Sequence, residues 1–438
     1  MHLPALNVLD LLLPLWRGSW DKHDKQKDPP SNWDWATLSN EDTWQEHRHI
    51  VSENKKYLPT SFGRAPRNPA TKLNSGFKAI EFVNYFYGMG PGVFYEVLPD
   101  NIWRHFCQLV SAVRTLSQRQ VTRQEIEEAH ISLIQWEQDY EELYYQRLEY
   151  RIPLVRPVCH TLTHLAAQTF VWGPLACSSQ WIIENAIGFL GRLVRQPSNA
   201  FANLTEVTLR HARTAALQAI IPGLVPERKH IATGGIDIGD QYAFLPARDT
   251  NPRRILAHEA AAVCEYLRMY DNSDRFLNYD IQLHRWSKAR LPNGQIARSA
   301  WRETLRTRQD ARISRNVKVR KGHDIFIAEV LFYMKLDNDV DNIPPECPRH
   351  CALVTRYSEP HPVLKEMSHG TLLSCLHGGE DGLMVINAKD ILSVVAMIPH
   401  RPTIPGESIK QDRFYLVEKP VLAMDELAGL QDEENEGN

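Results

Sequence analysis

The hydrophobic period of this chain changes along its length, and that change limits the folds open to it. From Phe77 to about residue 220, apolar residues recur every three or four positions, the period of an amphipathic helix. Past about residue 325 the pattern becomes short β-branched and aromatic runs: "IFIAEVLFYMKL", "CALVTRY", "TLLSCLH", "LMVINAKDILSVVAMIP" and "FYLVEK". Gly, Pro, Asp and Asn separate these runs, which predicts strands in a small antiparallel barrel or sandwich. The fold class is therefore α+β, helices first and a small β-rich, barrel-like domain second. No repeat period is present.

Within the helical half, "TRQEIEEAHISLIQWEQDYEELYYQRLEY" predicts one long helix over 122–150. Thr122 caps it, Glu125 closes a capping box, and Ile126, Leu133, Ile134 and Leu143 lie near one face. Its acidic outer face reads as solvated surface. Residues 19–75, rich in Trp, Asp, Asn, Lys and Pro, read as irregular connections. A chain of 438 residues exceeds one ordinary core. The divisions fall at 1–225 (helical), 226–284 (a linker with the short helix "HEAAAVCEYLRMY"), 285–425 (a basic segment and the β-rich domain) and 426–438, an acidic and disordered tail.

With 43% hydrophobic and 24% charged residues, the composition is that of a water-soluble chain. A net charge of −3 excludes a uniformly basic nucleic-acid binder but not a local patch. Seven scattered cysteines do not form a disulfide framework, which points to a reducing nuclear or cytoplasmic setting. The apolar start "MHLPALNVLDLLLPLWRG" lacks a basic leader and small cleavage-site residues, and no later run reaches the ~18 apolar residues of a membrane span. No membrane partner is expected.

Three groups of residues could carry chemistry. In a helix starting near Ser179, Trp181, Glu184, Gly188 and Gly191 share a face, and two glycines beside a carboxylate leave room for a metal, a phosphate or another backbone. The plain alternative is tight helix packing with Glu184 paired to Arg192 or Arg195. His160 and His164, four apart with Cys159 and Cys177 near in sequence, suit two metal ligands or, more simply, two satisfied core histidines. "CPRHC" (Cys347, His350, Cys351) is a weak zinc signal without a second pair. Between Arg285 and Lys321 stand twelve Lys or Arg against only Glu303 and Asp310, with Trp286 and Trp301 interleaved. Arg285, Lys288, Arg290, Arg298, Arg302, Arg306, Arg308, Arg312 and Arg315 are the candidate nucleic-acid contacts; the alternative is a solvated linker face. If the segment is helical, Arg298, Arg302 and Arg306 project from one side.

Taken together, these blocks resemble the transposases of CACTA-type (En/Spm-like) DNA transposons in the form widespread in mushroom-forming fungi. The resemblance covers nearly the whole chain and rests on "MHLPALNVLDLLLPLWRG", "NSGFKAIEF", "LYYQR", "HLAAQTFVWGPLACSSQWIIENAIGFLG", "RQPSNAFANL", "ARLPNGQIARSAW", "RNVKV", "IAEVLFYMKL", "GTLLSCLHGGEDGLMVINAKDILSVVAMIPH" and "FYLVEKP". It implies a DDE-type recombinase with an RNase H-like catalytic fold, in which three carboxylates hold two Mg²⁺ ions for DNA strand cleavage and transfer. The helical half then corresponds to the C-terminal part and helical insertion of that core.

The chain also departs from the pattern. In the resembling family an Asp stands two residues before the histidine matching His2, with further aspartates upstream, and these residues are absent here. Glu184 matches the third carboxylate by position. The resemblance therefore implies a truncated transposase fragment, inactive alone, with Glu184, His160 and His164 as metal-ligand candidates and DNA, a full-length copy or a second copy of itself as partners. A non-catalytic DNA-binding or protein-interaction module is the alternative.

Overall fold

The computed structural model describes residues 3–419 except 23, 73–76, 176–180, 195–196, 225–230, 232, 272–280, 306–310, 337–342 and 344. The apolar start forms helix α1 (Val8–Trp16), whose apolar residues are almost all buried. Trp16 is the centre of this first core: it packs on Phe86, Phe94 and Phe106 and donates its indole N–H to the Tyr144 hydroxyl at 3.0 Å. Residues 19–75 are not simply irregular. They contain helix α2 (Glu41–Glu53), capped by Asn40, and they bury Trp33, Trp35 and Trp44. Their tryptophans are isolated among polar neighbours, as in Asn32-Trp33-Asp34-Trp35, and this hides a core segment as a loop.

Helices α3 (Asp100–Leu116), α4 (Arg123–Tyr140) and α5 (Pro157–Trp172) stack on this core. The capping box of α4 is as read: Thr122 Oγ1 accepts the Glu125 N–H at 3.2 Å and Glu125 accepts the Thr122 N–H at 2.7 Å. At Tyr140 the helix passes into a π-helical turn, Glu141–Tyr145, and left-handed Gln146 and Arg147 end it, a few residues short of the expected 122–150. Its buried stripe is Ile126, Ala129, Leu133, Trp136 and Tyr140; Ile134, expected inside, is exposed, because the 3.6-residue period carries it round to the solvent side. Two further helices, α6 (Trp181–Leu193) and α7 (Ala200–Ile220), pair with each other, and α7 buries none of its residues.

Strands follow. β1 (Ile236–Gly239), β2 (Tyr242–Phe244) and β3 (Arg253–Arg254) precede helix α8 (Ala257–Arg268). Next come β4 (Gln282–Leu283), β5 (Arg285–Trp286), β6 (Lys288–Arg290) and β7 (Ile296–Arg298), so the basic segment begins as strands and not as the helix considered above. β8 (Asn316–Lys321), β9 (Asp324–Lys335) and β10 (His350–Arg356) lead to β11 (Ser374–Cys375), β12 (Leu383–Asn387) and β13 (Ile391–Val394). The last two are β14 (Ala396–His400) and β15 (Arg413–Val417).

All pairings are antiparallel. One sheet runs β12-β10-β9-β8-β13 with β5 also on β9; β1-β2-β6-β7 and β11-β15-β14 form two more. The largest sheet is an open path, not a closed barrel. In β9 the register shifts opposite Leu353 and Val354, and the side-chain alternation flips there. Phe326, Ala328 and Val330 enter one core and Phe332 and Met334 another, so a single strand serves both faces.

The cores do not follow the sequence divisions. Ala396, Ile398, Tyr415 and Val417 of β14 and β15 pack into the helical core around Trp16. Half-buried Arg114 ties the two parts, donating to the carbonyls of Tyr87 (2.7 Å), Gly88 (2.8 Å) and Thr371 (3.0 Å). The chain is thus mixed helix and sheet, helices first. Among the described residues no helix is long and apolar enough to cross a membrane. The acidic tail expected at 426–438 lies outside the described residues.

Candidate nucleic-acid interface

The metal candidates do not converge. His160 and His164 are both exposed on the outer side of α5, their rings edge to face at 4.9 Å, and His160 Nδ1 meets Glu137 Oε1 at 3.0 Å. They are not core histidines: Cys159, Leu162, Leu165 and Ala166 hold the buried side of that helix. Cys159, on the buried side of α5, faces away from the two exposed histidines, and burial pushes its thiol up to about 12. Cys177 lies outside the described residues. In "CPRHC", His350 faces Phe244 in one core while Cys347 and Cys351 sit in another, because adjacent strand residues point to opposite faces.

Glu184 lies on α6, and its side chain is outside the described residues. Among the described residues a Cβ on Gly188 would meet only Arg192 Nη1, at 3.9 Å, and one on Gly191 nothing within 4 Å. Tight packing against another described helix is therefore not what they serve. Among the described residues no three His, Cys, Asp or Glu come together as metal ligands, so the Mg²⁺ pair implied by the resemblance finds no built site in them.

The basic segment divides in two. Arg298 is buried on β7 and its Nη1 donates to the Arg312 carbonyl at 3.4 Å. Arg312 donates to the carbonyls of Gly63 (2.6 Å) and Pro59 (2.5 Å) and to Leu58, stapling this segment to the helical half. Arg315 pairs with Glu329 and with Glu303, and Glu303 also accepts the Ser314 N–H at 2.8 Å. These side chains have protein partners and are not presented to phosphate. Lys288 and Arg290 are half-buried on β6; Arg306 and Arg308 lie outside the described residues.

The other arginines form a cluster with partners from the preceding segment. Asp249, buried, accepts Arg285 Nε at 2.9 Å and stands 3.7 Å from Arg253 Nε. The Arg285 guanidinium lies over the Trp301 ring at 4.4 Å, and Arg302 over the same ring at 5.5 Å. Arg248, bridged to Trp286 in the backbone, lies over that indole at 5.3 Å. Arg248, Arg253 and Arg302 are exposed, while Arg285 is mostly covered. Arg253 and Arg285 thus meet one buried carboxylate and Arg285 and Arg302 share one indole, while Arg248 lies on the neighbouring Trp286, which the strand turns to the other face, and Glu303 is turned inward. Stacking leaves guanidinium edges able to donate bidentate hydrogen bonds to phosphate oxygens.

Arg248, Asp249 and Arg253 were not among the sequence candidates. The signal was the "ARDTNPRR" turn, but its pairing with β5 is a long-range contact that spacing does not reveal. Compared with protein-family models, curated proteins and solved structures, the chain matches none.

Proposed function

We propose that this chain is a DNA-binding part of a CACTA-type transposase, gripping phosphates rather than transferring strands by itself. The observation that carries the reading is the cluster of Arg253, Arg285 and Arg302 around Asp249 and Trp301, with exposed Arg248 on the neighbouring Trp286. Its excess positive charge and partly exposed indole suit a polyanion. The family part of the reading rests on the residue blocks quoted above. Two-metal strand transfer needs carboxylates brought together around the ions, and Glu184 alone does not supply them.

The test is binding of a fluorescent duplex by the chain and by Arg248→Ala/Arg253→Ala/Arg302→Ala, in EDTA and then in Mg²⁺. The reading expects sequence-independent binding that the triple variant weakens at least about tenfold, with no cleavage in either buffer. Unaltered affinity in the variant would remove the cluster from the interface. Mg²⁺-dependent nicking lost in Glu184→Gln would instead favour a catalytic chain.

A further inference from the structure

We infer that His160 and His164 form a two-histidine clip on α5 for one borderline divalent transition-metal ion of the Zn²⁺ class, and that Glu137 on α4 orients the first of them. This inference does not depend on DNA binding. It is also separate from the Mg²⁺ pair that the resemblance implies: Mg²⁺ takes oxygen ligands, whereas imidazole suits Zn²⁺, Cu²⁺ and Ni²⁺. The argument starts from the two sides of α5. Cys159, Leu162, Leu165 and Ala166 fill its buried side, while His160 and His164 are exposed. Residues four apart stand one above the other on a helix, with Cβ atoms about 5–6 Å apart. The two rings have their centres 4.9 Å apart. Two imidazoles bound to one tetrahedral ion at ~2.0–2.1 Å per nitrogen have ring centres about 5 Å apart. Chelation therefore asks for side-chain rotation and no movement of the helix.

The contact with Glu137 is the second, independent observation. His160 Nδ1 meets Glu137 Oε1 at 3.0 Å. An ionised carboxylate only accepts, so the proton between them belongs to Nδ1, and the lone pair of the neutral ring is at Nε2. Metal-bound histidines share this arrangement. Their other ring nitrogen donates to a carboxylate, which fixes the tautomer, holds the ring and raises the basicity of the ligating nitrogen. Glu137 comes from a neighbouring helix whose Leu133, Trp136 and Tyr140 are packed in the core, so the orienting group is held by the fold and not by the histidines. Among the described residues no third His, Cys, Asp or Glu completes the set. The remaining positions on the ion fall to water, which makes the site an open one.

Calorimetric titration of the full chain with ZnCl₂, in a buffer that does not chelate, tests this. The wild-type chain should take up one Zn²⁺ more than His160→Ala or His164→Ala, and Mg²⁺ should not compete for it. Both histidines are exposed, so the two variants should keep the circular dichroism of the wild type. Zn²⁺ should raise the thermal midpoint of the wild-type chain more than that of either variant, because an ion that binds the folded chain stabilises it. Glu137→Ala should keep the site but weaken it about tenfold. Zn²⁺ uptake that either histidine variant keeps in full, competition by Mg²⁺, or an affinity that Glu137→Ala leaves unchanged overturns the proposal.

Discussion

The seam around Arg312 and the patch around Asp249 are built from arginines of one stretch of sequence, yet they do opposite things. At the seam a single guanidinium is spent on the carbonyls of Leu58, Pro59 and Gly63, and Arg298 is buried beside it. At the patch Arg253 and Arg302 are exposed, and among the described residues one carboxylate, Asp249, offsets the cluster. The difference teaches that charge density along a chain does not decide where phosphate binds. What decides it is how many backbone acceptors the fold brings to each guanidinium.

Acid should act most strongly on the helical core to which the seam is fastened, and not on the patch. His47 and His105 are fully buried in the helical core, and burial holds each down to about 4 from an ordinary 6.5. A histidine whose folded pKa is lowered binds fewer protons folded than unfolded, so its stability contribution is present above pH 6.5 and is lost as pH falls toward 4. The loss is on the order of 3 kcal/mol for each. Denaturant titrations between pH 7 and 4 should show it. His47→Gln should lessen the slope, and a pH-independent midpoint would count against the buried neutral rings.

Arg312→Ala comes next. Removing a guanidinium that serves three carbonyls should cost roughly 3 kcal/mol, seen as a lower urea midpoint, while the salt dependence of DNA binding stays as it was. A change in that salt dependence would erase the distinction between seam and patch. Arg302→Ala should do the reverse at smaller scale: stability within about 0.5 kcal/mol of wild type, and duplex affinity lowered by a few-fold.

Much of the fold was legible because it is local. The capping box at Thr122 and Glu125, the strand over "IFIAEVLFYMKL" and the helix-to-strand order follow from spacing alone. The return of β14 and β15 to the Trp16 core was not legible, since β-pairing between distant segments leaves no periodic trace. Nor was the buried pair of Asp28 and Arg151, 123 residues apart, joined at 2.8 and 3.0 Å with the Trp33 indole on the same carboxylate. At the patch, Trp301, Arg285 and Arg302 stand in the segment the sequence singled out. Arg253 reaches them, and Arg248 reaches the neighbouring Trp286, only through the antiparallel contacts with β4 and β5. The metal reading of His160 and His164 finds no third ligand among the described residues, because the helix turns both rings outward.

The salt dependence of duplex binding tests the central claim most directly. The affinity of the wild-type chain and of Arg248→Ala/Arg253→Ala/Arg302→Ala would be measured from low to physiological salt. With about three exposed guanidiniums on phosphate, the wild-type log–log slope should be near −3, and the triple variant should flatten it by about 0.9 for each contact removed. Equal slopes for the two proteins would contradict the account and return these arginines to a solvated surface.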